Sequence, residues 1–410
     1  MAILDLNYDK LFNIYEELDI KLTNEIIRQI SNLGDITSYS EAQLRTLVEL
    51  NGQEIFFKAL DETSLITTDM KNKLKNLYQE YGEETVRGYK QEFKYRGKSL
   101  KLNASQLNIL NYFLETTGNS LTNMTNTIAF ATEQSYVNAV DKAVLEVATG
   151  GIDYNKAIYN TYKELANKGV TLQDSLGRDV QLDVAVRRNV LGGIQQMTNS
   201  LNENIFSDLG CNGYEVTAHS GARPTHAVAQ GKQYALTQED ANKYKVGYWY
   251  DTVDGEPIAE LWNDYNCRHS YNGIILGVSE PQYSKKELKN MEDETVDYNG
   301  EKMSLYEANQ KQRYYERNIR SRKKAIESLN NVKDKNVLEA QNSLKKQLKD
   351  YRRKYREFNR ATGLEPDYSR TRIWHFDKNM LFLKRYGGYH FSRVEPRHLK
   401  KGIGGKIWRN

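Results

Sequence analysis

Apolar residues recur at helical spacing through the first half of the chain. In YDKLFNIYEELDIKLTNEIIRQI, Leu11, Ile14, Tyr15, Leu18, Leu22, Ile26 and Ile30 fall on one face at three- and four-residue steps, which predicts an amphipathic helix. SYSEAQLRTLVEL places Ser40 three residues before Gln43, the spacing of a capping box. SLITTDMKNKLKNLYQEYGEETV continues as a further helix or helix pair. From Ala104 to Ala148 the pattern is helical again, with a stop at Gly150 and Gly151. DYNKAIYNTYKELANKGV predicts a short helix ending near Gly169. LDVAVRRNVLGGIQQMTNSLNENIFSDLG predicts a long one, broken or closely packed at Gly192 and Gly193. All five prolines lie at or after position 224, so nothing interrupts these helices upstream.

The texture changes near Asn212. GYEVTAH and NGIILGV carry β-branched and aromatic residues bounded by glycine, which predicts strands. Between them lie KQYAL, the helix-like TQEDANKYK and an aromatic loop. After Pro281 helical periodicity returns. Tyr315, Ile319, Arg322, Ile326 and Leu329 alternate steps of four and three, and Val337, Gln341, Leu344, Leu348, Tyr351, Tyr355 and Phe358 continue a similar seam beyond NNVKDKN. The expected fold is mainly α with a small α+β module, an elongated multi-part chain with a basic C-terminal helical hairpin. Five parts are expected: an acidic helical module over 1–95, a long-helix region over 96–210, the α+β module over 211–282, basic heptad-patterned helices over 283–362, and a basic aromatic and glycine-rich tail over 363–410.

Composition refines this picture. An apolar fraction of 39% is low for one large globule, and 29 tyrosines suit thin cores and contact surfaces. There is no run of about eighteen apolar residues, so no membrane span is expected. The opening MAILDLNYDK lacks the basic start of a secretory signal. Cys211 and Cys267 make no disulfide framework and fit a reducing cytosol. The net charge of +4 is unevenly spread: residues 311–360 carry 17 Lys and Arg against 6 Asp and Glu, and residues 361–410 carry 11 against 4. The rest of the chain is therefore strongly acidic. A basic region of this kind is expected to meet an anionic partner such as duplex DNA, unless it is only a solvated helical face. Arg320, Arg322, Lys323, Lys324, Arg352, Arg353, Lys354 and Arg356 are the candidate phosphate contacts.

HSGARPTHAVAQGK and NCRHS hold the candidate chemistry. Cys211, His219, His226, Cys267 and His269 are all possible zinc ligands, but no CxxC, HxxxH or HExxH spacing is present. Cys267 beside Arg268 and a histidine could form a thiolate–imidazole pair, although roles of this kind are defined in space rather than by adjacency. The reading adopted is a buried polar knot in which Arg223 ties carbonyls together, Pro224 fixes a turn, and Gly221 and Gly231 permit positive φ. No cofactor and no metal are assigned, and no catalysis. A metal- or thiol-dependent enzyme or effector built on His219, His226, Cys267 and His269 is the alternative.

EVTAHSGARPTHAVAQGKQYAL followed by WNDYNCRHSYNGIILGVSEPQYS resembles the signature of the phage minor capsid protein 2 family, related to head morphogenesis proteins of the Mu F type. The elements run in the family's order, with His219, Gly221, Arg223, Pro224 and His226 first. Gln230, Gly231 and Lys232 follow, then Asn266, Cys267, Arg268 and His269. Ala229 and Asn272 depart from it, where an aromatic and a proline are usual. The resemblance covers about residues 100–375. It implies a structural virion protein of a tailed phage, made in the bacterial cytoplasm, associated with the portal inside the head and in contact with other capsid components. It implies no enzymatic activity.

Overall fold

The computed structural model describes residues 8–92, 102–149, 152–263, 267–374 and 376–377. Residues 378–410, most of the expected tail, lie outside them. Five helices open the chain: α1 (Tyr8–Leu33), α2 (Glu41–Glu92), α3 (Ala104–Ala148), α4 (Tyr154–Lys168) and α5 (Leu182–Asp208). The Ser40–Gln43 box caps α2, the backbone N–H of each residue donating to the side-chain oxygen of the other at 3.0 and 3.3 Å. The segment after Ser40 is a single helix of 52 residues, not two. Gly52 and Gly82 do not break it because they face α3: a Cβ at Gly82 would come 2.7 Å from Leu110 Cδ1. Gly193 likewise marks a close approach, of α5 onto the buried Tyr78–Thr117 hydroxyl pair (2.6 Å), and α5 runs through it unbroken. Between α4 and α5, strands β1 (Thr171–Gln173) and β2 (Asp179–Gln181) form a short hairpin with no counterpart in the sequence expectation.

A four-stranded sheet follows, built from β3 (Gly213–Val216), β4 (Gln233–Ala235), β5 (Gly247–Tyr248) and β8 (Tyr271–Ile274) in the order β5-β4-β3-β8. β3 runs antiparallel to both β4 and β8, with Tyr214 opposite Tyr234 and Gly273. The short helix α6 (Pro224–Ala227) lies between β3 and β4, α7 (Gln238–Tyr244) precedes β5, and the small hairpin β6 (Thr252–Val253) and β7 (Glu256–Pro257) precedes β8. Beyond the sheet come α8 (Lys285–Glu292), the hairpin β9 (Thr295–Tyr298) and β10 (Glu301–Ser304), then α9 (Leu305–Ser328) and α10 (Lys335–Thr362). Asn299 and Gly300, both at positive φ, make the β9–β10 turn.

Packing cuts across the expected parts. One core joins Ile26 and Ile30 of α1, Ile55 of α2, Tyr136 of α3, Tyr162 of α4, Ile319 of α9, Leu344 and Phe358 of α10, and Ile373 beyond them. A second holds Leu11 and Leu18 of α1 against Leu74, Leu121 and Val190. A third, with Tyr214, Trp249, Trp262 and Tyr271, belongs to the sheet module and to Phe206 at the end of α5. α9 and α10 are hydrogen-bonded side by side: Gln312 Nε2 donates to Asn359 Oδ1 (2.9 Å), Tyr355 hydroxyl to Glu316 Oε1 (2.9 Å), and Arg322 Nε to Gln347 Oε1 (2.9 Å). These pairings run antiparallel. Among the described residues no helix is long and apolar enough to cross a membrane.

Candidate functional site

The motif residues converge at one end of the sheet. Val216 and Gly231 are backbone-bonded across the β3–β4 connection, and Thr217 N–H donates to the Ser270 carbonyl at 2.8 Å. The loop after β3 is thereby held against the segment entering β8. Pro224 occupies the first turn of α6, and the Arg223 carbonyl accepts from the N–H groups of His226 and Ala227. Gly221, at φ 70°, lets the loop touch α9: a Cβ there would lie 2.7 Å from Asn309 Nδ2. Gly231, at φ 66°, is covered by Leu288 of α8.

Gln230 stands at the centre of the knot. Its buried Oε1 accepts from the His219 backbone N–H (3.0 Å) and from His269 Nε2 (2.9 Å). Arg223, expected to tie the loop's carbonyls together, is exposed. Lys232 and Arg268 are exposed as well, and Asn266 lies outside the described residues. The His219 and His269 rings stack at 4.4 Å, and Trp262 packs edge-on to His226 and His269 at 5.4 and 5.1 Å. Burial, helped by the neighbouring charges of His219, His226 and Arg223, holds the His269 imidazole down at about 3, so it is neutral at physiological pH. Cys267 Sγ lies 3.6 Å from His226 Nδ1 and 3.5 Å from His269 Nδ1, and it accepts the His269 backbone N–H at 3.4 Å. Cys211 is elsewhere, beside Phe206 and Gly273, and neither cysteine is in a disulfide.

The basic candidates on α9 have a different fate. Lys324 Nζ lies 2.7 Å from Asp19 Oδ2 and 3.4 Å from Asp183 Oδ1. Arg320 Nη2 lies 2.5 Å from Glu16 Oε2 and 3.2 Å from Asp183 Oδ2. Lys323 donates to the Thr371 carbonyl and pairs with Asp377 at 2.9 Å. Lys323 and Lys324 are buried, so these three side chains are corrected from DNA contacts to internal ion pairs. The acidic helices and the basic helix neutralise one another inside the fold. Burial works against the charge on Asp183, but Lys324 and Arg320 outweigh it and hold that carboxyl below the usual range. Glu16 is raised, chiefly by burial. Arg322 bridges Gln347 and Asn167, and Arg352 is half-buried near the Phe376 ring. Of the candidates, Arg353, Lys354 and Arg356 are exposed. Asp350 and Glu357 pair with Arg353, and Asp350 also pairs with Lys354. A cleft of about 280 Å³ opens beside the network, lined in part by Asp183, Arg317, Arg320 and Arg322.

The sequence patterns did not single out Glu16 and Asp19, although a signal was present. Asp19 lies four residues after Tyr15 and three before Leu22, on the apolar face of α1, where an ionisable group needs a partner.

Comparison with known proteins places the chain among the structural components of bacteriophage capsids, and the two motif stretches fall inside the matched region. The chain belongs to the phage minor capsid protein 2 family, whose model matches residues 2–359. It is also 24% identical over 244 residues to a "Structural protein" of Lactococcus phage LL-H, across 58% of this chain and 62% of that relative. The matched region thus spans about three fifths of that relative's length. No solved structure matches the chain significantly.

Proposed function

We propose that this capsid component acts in head morphogenesis, associated with the portal inside the head. The observation that carries the reading is the family match over 2–359. The chain's part is taken to be scaffolding rather than catalysis.

A contact with packaged DNA is the second element of the proposal, and it rests on a narrower set than the charge count first suggested. Arg353, Lys354 and Arg356 are exposed on α10, and residues 378–410 carry nine Lys and Arg against one Glu. Cations of this kind neutralise phosphates without reading sequence.

Quantitative mass spectrometry of purified virions tests the placement. The expected result is a low copy number that scales with the portal protein and not with the major capsid protein. Absence from virions would overturn it and turn attention to a released effector, for which the Cys267–His226 contact would be the starting point.

A further inference from the structure

His226, Cys267 and His269 form a group whose donor atoms all lie within 4.8 Å of one another, two of the residues buried and the third half-buried. We propose that this group is a zinc site, binding through His226 Nδ1, Cys267 Sγ and His269 Nδ1, and that the ion staples the α6 loop to the segment entering β8.

The distances fit. Zinc bonds of ~2.3 Å to sulfur and ~2.0–2.1 Å to nitrogen at a tetrahedral angle separate the two donors by about 3.6 Å. The sulfur lies 3.6 Å from one Nδ1 and 3.5 Å from the other. The orientation of His269 fits too. Its Nε2 engages Gln230 Oε1, an acceptor, so the proton sits on Nε2 and the Nδ1 lone pair points toward the sulfur. An outer hydrogen bond of this type is the usual support of a metal-bound imidazole. His219 lies outside the donor group; it stacks on His269 while its Nδ1 engages the Ser220 carbonyl. The fourth position falls to water. Trp262 Nε1–H, buried and without an acceptor among the described residues, belongs to the same cluster and is a donor such a water could use. Binding converts the Cys267 thiol to the thiolate and releases its proton to solvent.

A two-histidine, one-cysteine set with borderline-soft donors selects zinc over magnesium or calcium. The surrounding sheet is small and its strands are two to four residues long, so a metal contributes where core is scarce.

The test is metal analysis of the full chain, expressed with zinc in the medium and purified without chelator. Equimolar zinc is expected, retained in Cys211→Ser and lost in Cys267→Ser and His226→Gln. A cobalt titration of the stripped wild-type protein guards against variants that fail to fold. It should give the intense visible bands of tetrahedral cobalt with a thiolate charge-transfer band. A folded wild-type protein that holds no zinc and takes up cobalt without that band would overturn the site.

Discussion

Lys324 Nζ of α9 lies 2.7 Å from Asp19 Oδ2 of α1, across 305 residues of sequence, and both side chains are buried. Asp19 also accepts the Val170 N–H at 2.7 Å, and Gly169 makes room for it: a Cβ there would come 2.5 Å from Asp19 Oδ1. The pair therefore joins the first helix, the α4–β1 connection and the basic helix at one point. Removing one partner of such a pair leaves a buried charge unopposed, at a cost of about 3–5 kcal/mol, whereas removing both is much milder. Lys324→Met is expected to fall in that range by urea unfolding. Adding Asp19→Asn should restore part of the loss, since the asparagine still accepts from Val170. Additive losses in the double variant would show that the two side chains are not coupled.

The acid limb of stability follows from Asp183. Its carboxyl is held below the usual value because Lys324 and Arg320 outweigh the opposing effect of burial. In the unfolded chain an aspartate protonates near pH 3.9, so below that point the unfolded state binds more protons than the folded one. The stabilisation is complete at neutral pH and is lost as pH falls through the folded value. Asp183→Asn lacks this contribution. Its deficit relative to wild type should be full at neutral pH and should narrow below about pH 4. A deficit that stays constant on acidification would show that Asp183 is not held ionised by α9.

Much of the helical layout was legible because apolar spacing and punctuation agreed. Leu11, Tyr15, Leu18, Leu22, Ile26 and Ile30 are all buried on α1, and α3 begins and ends where its pattern did. Ser40 and Gln43 make their box. The β9–β10 hairpin carried its Asn-Gly signal in plain view, but the polar strands on either side hid it. β1 and β2 are three residues each, too short to show alternation. The partners of the basic residues were not legible, because charge counts do not say which cations turn inward. Ile319 and Ile326 flank Arg320, Lys323 and Lys324 in sequence, and the packing of α9 against α1, α4 and α10 buries more than one face of that helix. In the motif, convergence of His226, Cys267 and His269 depends on the β3–β8 pairing, which spacing alone does not supply.

Adjacent glycines on α5 should respond oppositely to alanine. A Cβ at Gly193 would overlap the Thr117 and Tyr78 hydroxyls, which are bonded to each other in the core. Overpacking of this kind costs about 1–3 kcal/mol. A Cβ at Gly192 meets nothing within 4 Å, and alanine in a helix interior gains about 0.5–1 kcal/mol over glycine. Gly193→Ala is expected to lower Tm and Gly192→Ala to raise it. The same sign for both would mean that α5 does not pack on α2 and α3 as described.

The division of the basic residues into inward and outward sets makes the DNA proposal testable within one chain. Each phosphate neutralised on duplex DNA contributes about 0.9 to the slope of log K against log salt. Arg353, Lys354 and Arg356 are exposed, so replacing all three with alanine should flatten that slope by up to about 3 while leaving the unfolding midpoint nearly unchanged. Truncation before residue 378 removes nine further cations and should flatten it more. Lys324→Met should behave the other way, moving the midpoint strongly with no specific change in slope, because Lys324 faces Asp19 rather than solvent. Fluorescence anisotropy on a duplex oligonucleotide over a salt series, paired with urea unfolding of the same proteins, reads both quantities. A wild-type slope near zero would remove DNA from the proposal and leave an acidic protein partner as the occupant of the outward cations.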